Sequence, residues 1–134
     1  MLTVQVLSFS FKRGLPEDLT ENGGGFVFDC RALPNPFWDE SLRKFTGCDH
    51  PVVEFFTQFP EKVEPFFTAA ETLVRQSIEA YLCDGRTHLQ VAFGCTGGQH
   101  RSVYFAERMA KHLRTLPHVE VALTHAAKDF WKTV

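Results

Sequence analysis

A short stretch in the last third of the chain gathers the residue types that bind or attack a phosphoryl group. Cys95-Thr96-Gly97-Gly98-Gln99-His100-Arg101-Ser102 combines a thiol, two hydroxyls, adjacent glycines, a histidine and an arginine. Glycines let the backbone come close to a ligand, and an arginine offers a planar charged fork that matches phosphate or carboxylate oxygens. The stretch therefore predicts an anion-binding loop. A structural turn with a surface arginine is the plainer interpretation.

The elements on either side of this loop favour the anion site. Leu89–Phe93 is a short apolar run, typical of a buried strand. Apolar residues recur at helical spacing after the loop and predict a helix from about Ser102 to about Leu116, with Val103, Ala106, Met109, Ala110 and Leu113 on its buried face. A glycine loop that runs into a helix directs backbone N–H groups and the positive end of the helix dipole at one point. We therefore expect a phosphoryl group as the ligand.

Catalysis is the alternative for the same residues. The spacing C-x-x-G-x-x-R-S resembles the phosphate loop of cysteine-dependent tyrosine phosphatases, although Gly94 stands where those enzymes usually have a histidine. In that interpretation Cys95 is the nucleophile, Arg101 holds the phosphoryl oxygens and Ser102 assists departure of the thiolate. A general acid is also needed. The aspartates available for it are Asp29, Asp39 and Asp49, and the sequence does not choose among them.

The remaining segments predict an α/β fold. Strands are predicted at Thr3–Phe9, Phe26–Phe28 and Val119–Leu123, in addition to Leu89–Phe93. Helices are predicted from a cap at Asp49 to about Phe59 and from near Glu61 to Asp84-Gly85. The other predicted segments are a flexible connector at Glu21–Gly25, a rigid extended loop at Leu33–Trp38, and a short helix or frayed tail at Ala126–Val134. The order β, β, α, α, β, α, β predicts one layer-type domain over residues 1–134, with a small, mainly parallel sheet of about four strands flanked by helices.

The predicted sheet brings further charged residues toward the loop. Strands in a parallel sheet end at the same edge, where open α/β sheets bind ligands. Lys12 follows the first strand, and Asp29 and Arg31 follow the second. We therefore expect all three beside the Cys95–Arg101 loop, with a solvated basic turn as the plainer interpretation of Lys12-Arg13.

Composition argues against several classes of partner and compartment. The net charge is −2, so no global electrostatic attraction to nucleic acid is expected. The sequence shows neither a long apolar run nor a signal-peptide pattern, and its cysteines, Cys30, Cys48, Cys83 and Cys95, are widely spaced without a C-x-x-C pair. We expect reduced thiols in a cytoplasmic protein, with no membrane partner, no metal and no cofactor.

Several long motifs carry a resemblance that covers almost the whole chain. They are Ser8 to Pro16 (SFSFKRGLP), Val27 to Pro36 (VFDCRALPNP), Leu42 to Gly47 (LRKFTG), Pro51 to Phe55 (PVVEF) and Gly94 to Tyr104 (GCTGGQHRSVY). Together they look like the C-terminal domain of the RNase adapter protein RapZ family. The resemblance implies a domain that binds an anionic metabolite, glucosamine-6-phosphate in the best-known members, and that also binds small regulatory RNA and self-associates.

The resemblance assigns ligand-binding roles to matching positions, and three departures qualify it. With the loop residues Cys95 and Gly98, the predicted ligand-binding set is Lys12, Asp29, Arg31, Cys95, Thr96, Gly97, Gly98, His100 and Arg101. Phe37 stands where the family often has a histidine, which predicts a different ligand or affinity. A nucleotide-binding P-loop is absent from the sequence, so ATP or GTP hydrolysis is not expected. The nearly neutral C-terminal segment weakens the expectation of RNA binding. An anionic small molecule is the expected partner, with RNA and a homo-oligomer as further alternatives.

Overall fold

The computed structural model describes residues 1–18 and 24–134. Its strands are β1 (Leu2–Ser10), β2 (Gly25–Asp29), β3 (His88–Cys95) and β4 (Val119–His125), and its helices are α1 (His50–Phe56), α2 (Pro60–Cys83) and α3 (Arg101–Leu113). Every predicted strand and helix is confirmed. The predicted connector at Glu21–Gly25 falls, as far as residue 23, outside the described residues.

All four strands run parallel in one sheet with the order β2-β3-β1-β4. The register pairs Ser10 of β1 with Cys95 of β3 and Ser8 of β1 with His125 of β4, and it pairs Asp29 of β2 with Gly94 of β3. The carboxyl ends of all four strands therefore meet at one edge. This confirms the α/β class and the parallel sheet.

One face of the sheet carries the main hydrophobic core. Successive side chains of a strand point to opposite faces, and one face collects the buried residues Leu2, Val4, Val6, Leu89, Val91 and Phe93. Apolar residues of α1, α2 and α3 join the same cluster. Phenylalanines fill much of this layer, and the ring of Phe93 lies 6.2 Å from that of Phe105 on α3. The helices therefore hold the sheet from one side.

A smaller apolar cluster lies on the opposite face, near the carboxyl edge. It consists of Leu7, Phe9 and Ala92 with Phe11 packed against it. The rings of Phe9 and Phe11 meet edge to face at 4.9 Å between centroids. This cluster supports the segment that follows β1, which carries Lys12.

Several boundaries differ from those predicted. The Leu33–Trp38 loop contains a 3-10 turn at Pro36–Trp38, because the Asn35 side chain accepts a hydrogen bond from the Phe37 amide. A second such turn spans Lys128–Phe130 in the tail. Asp49 precedes α1 but makes no capping hydrogen bond to it, since its carboxylate accepts from the Thr46 amide at 2.7 Å instead.

The described part of the chain has no helix that is long and apolar enough to cross a bilayer.

Candidate functional site

A cavity of about 530 Å³ opens where the carboxyl ends of the strands meet. Segments that follow all four strands contribute to its wall. The lining residues are Ser10, Lys12 and Arg13 at and after the end of β1, Asn35 and Phe37 after β2, Cys95, Thr96, Gly97, Gln99, His100 and Arg101 at and after the end of β3, and Phe130 and Lys132 after β4. The predicted anion loop therefore contributes more of the described lining residues than any other segment.

The loop after β3 is held by local backbone demands. Gly98 has a φ of 70°, which favours glycine, and a Cβ there would also meet Ala127 and Ser10. The Ser10 hydroxyl donates to the Thr96 carbonyl at 2.6 Å and so ties the end of β1 to the loop. Gly97 differs from Gly98, because a Cβ on it would meet no atom within 4 Å. The loop backbone is thus fixed at Gly98 and open to the cavity at Gly97.

Arg101 is buried, with 6% of its surface exposed, although it lines the cavity. Its Nη1 donates to the carbonyl oxygens of Arg31 at 2.6 Å and Leu33 at 3.3 Å. Both acceptors are neutral, so these contacts orient the guanidinium without cancelling its charge. Arg101 therefore joins the loop after β2 to the start of α3 and still presents a positive charge to the site.

Cys95 lies at the base of the site and is 3% exposed. Its Sγ lies 3.1 Å from the Ser102 hydroxyl and 3.5 Å from the Ser102 amide. The predicted proximity of thiol and serine is therefore present in the structure. The thiol is closely packed.

The Gln99 carboxamide connects the loop to the tail of the chain. Its Nε2 lies within hydrogen-bond distance of the carbonyl oxygens of Arg43, Phe45 and Lys132, and its Oε1 accepts from the Lys132 amide at 2.9 Å. The indole of Trp131 adds a hydrogen bond to the Gly98 carbonyl at 2.8 Å. These contacts place Phe130 and Lys132 in the cavity wall.

The charges in the wall all have one sign. Lys12, Arg13, Arg101 and Lys132 are its ionisable residues apart from Cys95 and His100, and the described lining includes neither aspartate nor glutamate. The guanidinium of Arg13 stacks 3.5 Å above the Phe130 ring, which holds it at the rim. A positive cavity has thus formed in a chain whose net charge is −2.

Asp29 and Arg31 lie at the same sheet edge but face each other rather than the cavity. Arg31 donates to both carboxylate oxygens of Asp29, with a shortest distance of 2.7 Å, and its guanidinium stacks 3.8 Å above Phe11. The Arg31 hydrogen bond lowers the pKa of Asp29 below its usual value, and burial opposes this only in part. Asp29 is therefore an ionised partner of Arg31.

His100 precedes α3 and is 7% exposed. Burial lowers the pKa of its imidazole, and the charge of Arg101 lowers it further, while nearby backbone carbonyls oppose the shift. Among the buried side-chain atoms that the structure describes, His100 Nε2 has no hydrogen-bond partner. The ring is therefore neutral near physiological pH.

The structure brings together six of the nine predicted ligand-binding residues: Lys12, Cys95, Thr96, Gly97, His100 and Arg101. Asp29, Arg31 and Gly98 lie beside the cavity, outside its lining. The prediction did not include the lining residues Ser10, Arg13, Asn35, Phe37, Gln99, Phe130 and Lys132. The parallel order was a usable signal for Phe130 and Lys132, because it places the segment after β4 at the same edge as the loop.

Comparison with known proteins adds the family. A family model described as the RapZ C-terminal domain matches residues 2–129. The chain belongs to the RapZ C-terminal domain family. The long motifs that suggested this resemblance supply much of the wall, since Lys12, Asn35 and the loop after β3 all lie within them.

Curated relatives of this RapZ C-terminal domain are longer proteins. A nucleotide-binding protein from Halorhodospira halophila is 49% identical over 113 residues, which cover 84% of this chain and 37% of that protein. A nucleotide-binding protein from Aromatoleum aromaticum is 45% identical over 127 residues, covering 95% of this chain and 41% of that protein. The chain therefore spans about two fifths of the length of these relatives.

Proposed function

We propose that this domain is a sensing module that binds a phosphorylated small molecule in the cavity at the carboxyl edge of the sheet. The observation that carries the proposal is the charge of the wall. Four cationic side chains, Lys12, Arg13, Arg101 and Lys132, surround the cavity, and no carboxylate of the described lining neutralises them. Bringing these charges together costs electrostatic energy, and a bound anion reverses that cost.

The backbone supports the same ligand class. The loop after β3 leads into α3, a helix of 13 residues. The side chain of His100, the residue before it, makes no capping hydrogen bond to its N-terminal end. The first amides of a helix lack partners within the helix, and the dipole favours negative charge there. Together with Arg101, this end of α3 suits the oxygens of a phosphoryl group.

The size and aromatic content of the cavity favour a ligand larger than inorganic phosphate. Small-molecule sites usually measure about 300–1,000 Å³, and the volume here lies within that range. Phe37 and Phe130, each 52% exposed, offer apolar surface at the wall. An amino-sugar phosphate such as glucosamine-6-phosphate would place its phosphoryl group among the cations and its ring against these side chains.

Hydrolysis by a cysteine nucleophile is the second candidate, favoured by the contact between Cys95 and Ser102. Such a reaction needs a proton donor for the leaving group. Asp29 is poorly suited to that task, because its pKa is lowered and Arg31 occupies both of its oxygens. Asp39 and Asp49 are not among the described lining residues of the cavity. Binding without turnover is therefore the function that the geometry supports best.

Isothermal titration tests the proposal. The ligands are glucosamine-6-phosphate, glucosamine, inorganic phosphate and a nucleoside monophosphate, the last because the curated relatives carry the name nucleotide-binding protein. We expect saturable binding that requires the phosphoryl group. Released phosphate is assayed after each titration, and release that disappears in Cys95→Ser would move the phosphatase to first place.

Matched lysine variants locate the ligand. Lys12→Ala removes an exposed cation of the wall, and Lys111→Ala removes an exposed cation from the far end of α3. A charged hydrogen bond contributes about 1.5–3 kcal/mol, so we expect Lys12→Ala to weaken binding by about tenfold or more and Lys111→Ala to leave it unchanged. Equal affinities in the two variants, or no binding of any phosphorylated ligand by the parent, would refute the proposal.

A further inference from the structure

A second group of chemically active side chains lies outside the cavity. Cys48 precedes α1, Glu107 lies on α3 and His125 ends β4. Cys48 Sγ is 2.9 Å from Glu107 Oε1, and His125 Nε2 is 3.5 Å from the same oxygen. The three potential ligand atoms all lie within 4.8 Å of one another. Three separate elements therefore bring a thiol, a carboxylate and an imidazole to one point.

These separations suit a tetrahedral ion. Zn²⁺ binds sulfur at about 2.3 Å and nitrogen or carboxylate oxygen at about 2.0–2.2 Å. In a tetrahedron those bonds place neighbouring ligand atoms roughly 3.3–3.7 Å apart. The observed Sγ–Oε1 distance is shorter than this range, the Nε2–Oε1 distance lies within it, and the Sγ–Nε2 distance is at most 4.8 Å. Side-chain rotations that move atoms by about 1 Å would thus complete the geometry.

The surroundings of His125 and Cys48 orient both ligands. Ser8 Oγ lies 2.6 Å from His125 Nδ1, which leaves Nε2 for the cluster. A hydrogen bond to the second imidazole nitrogen is the usual support of a metal-binding histidine. On the other side the Cys48 amide donates to the Thr46 hydroxyl at 3.1 Å, which fixes the backbone of the turn that carries the thiol.

We propose that Cys48, Glu107 and His125 form a binding site for a divalent transition-metal ion of the Zn²⁺ class. A thiolate and an imidazole select Zn²⁺ or Co²⁺ over Mg²⁺ and Ca²⁺, which prefer oxygen ligands. The Cys48 thiol proton, which is donated to Glu107 in the metal-free protein, leaves to solvent as the metal–sulfur bond forms. Thiolate and carboxylate then balance the charge of the ion, and water takes the fourth position.

Access and one of the two neighbouring charges favour this assignment. Asp49 adds negative charge next to Cys48 and favours a cation, whereas Lys128 adds positive charge next to His125 and opposes one. Cys48 is exposed, so an ion reaches the thiol directly from solvent. Such a site could not be predicted from the sequence, because these residues lie far apart in the chain and match no metal-binding spacing.

Cobalt titration of the reduced, chelator-treated protein tests the proposal. We expect one Co²⁺ per chain, visible-region bands of a tetrahedral ion, a near-ultraviolet thiolate-to-cobalt band, and loss of all bands on addition of Zn²⁺. Loss of a residue that supports a ligand typically weakens metal binding 10–100-fold. We therefore expect Cys48→Ser and His125→Gln, which remove ligands, to weaken it by more than about 100-fold.

Cys83→Ser is the matched control, because Cys83 is also an exposed free cysteine but lies at the end of α2. It should bind Co²⁺ as the parent does. A thiolate band that survives in Cys48→Ser, a band lost equally in Cys83→Ser, one ion per two chains, or no band in the parent would each overturn the proposal. Thermal melts with and without Zn²⁺ give a second measurement. The melting temperature should rise with Zn²⁺ in the parent and in Cys83→Ser but not in Cys48→Ser.

Discussion

Replacement of Gln99 is the sharpest test of how the candidate site is assembled. Its carboxamide is the junction between the loop after β3, the segment at Arg43–Phe45 and the tail at Lys132. Gln99→Leu keeps a side chain of similar size and removes every one of these hydrogen bonds. The variant therefore measures what the junction contributes to the stability of the fold.

The expected loss follows from the partners that are left behind. The carbonyls of Arg43 and Phe45 accept from Gln99 in partly buried surroundings, and each unsatisfied group of this kind costs about 1 kcal/mol or more. The Lys132 backbone regains water, because Lys132 is exposed, so those two hydrogen bonds contribute about 0.5 kcal/mol each. We expect Gln99→Leu to lower the free energy of unfolding by about 3 kcal/mol. For a chain of this size that corresponds to a fall of roughly 10 °C in melting temperature.

Gln99→Glu adds a prediction about how stability depends on pH. At pH 7 its carboxylate would face the same carbonyl oxygens that now accept hydrogen bonds, so we expect a larger loss than in Gln99→Leu. The facing carbonyl oxygens raise the pKa of this carboxyl above the usual glutamate value of about 4.3. Protonation restores one donor, so the gap between the two variants should narrow as pH falls through the raised pKa and be smallest below about pH 4.3.

Urea unfolding at pH 7 and pH 4, followed by circular dichroism, measures both effects. Gln76→Leu is the matched control, since Gln76 is exposed on α2 and its replacement should change the free energy of unfolding by less than about 0.5 kcal/mol. The reasoning fails if Gln99→Leu matches that control, or if Gln99→Glu is as stable as the parent at pH 7.

Two further predictions concern the backbone around the site and its pH dependence. Gly47→Ala should destabilise the protein by several kcal/mol, because a Cβ there would lie 2.5 Å from the His100 carbonyl oxygen and would also overlap the Tyr104 amide. A Cβ at Gly97 would meet open space, so Gly97→Ala should melt like the parent. Equal melting temperatures of Gly47→Ala and Gly97→Ala would contradict this prediction. The lowered pKa of His100 predicts stability that is fully present above about pH 6.5 and is lost as pH falls through the lower folded-state pKa. Urea unfolding at pH 7.5 and 5.5 measures this loss of stability. The free energy of unfolding should fall less between the two pH values in His100→Asn than in the parent, whereas the exposed-site control His118→Asn should fall as much as the parent. Identical falls in all three proteins would refute the role given to His100.

The fold was predictable because its signals are local. β3 contains a short apolar run, β1 alternates apolar and small polar residues, and α2 and α3 carry an apolar stripe at helical spacing. The order of these elements was sufficient to predict a parallel sheet. The exact ends were less predictable, since they depend on single hydrogen bonds. The Asp49 carboxylate is an example, because it bonds to the Thr46 amide rather than capping α1.

The candidate site was predictable where position along the chain determines it. Residues of the loop after β3 line the cavity because a strand, a glycine turn and a helix follow one another there. Asp29 and Arg31 show the limit of that reasoning. Their place at the sheet edge follows from the sequence, but the direction of their side chains depends on their mutual pairing and on the ring of Phe11. For Lys132 the parallel order indicates the sheet edge, but its hydrogen bond to Gln99 is seen only in the folded chain.

The strand order also has a consequence for the chain during its synthesis. Within this domain β1 precedes the other described strands, and both of its neighbours come much later, since Thr3 pairs with His88 and Leu2 pairs with Val119. At about 5–20 residues per second, β1 remains without a neighbour for roughly 4–17 s. During that time its apolar side chains and free edge can associate with other chains. Closing such long loops also slows folding. During synthesis β1 would therefore depend on protection from such contacts until β3 has emerged.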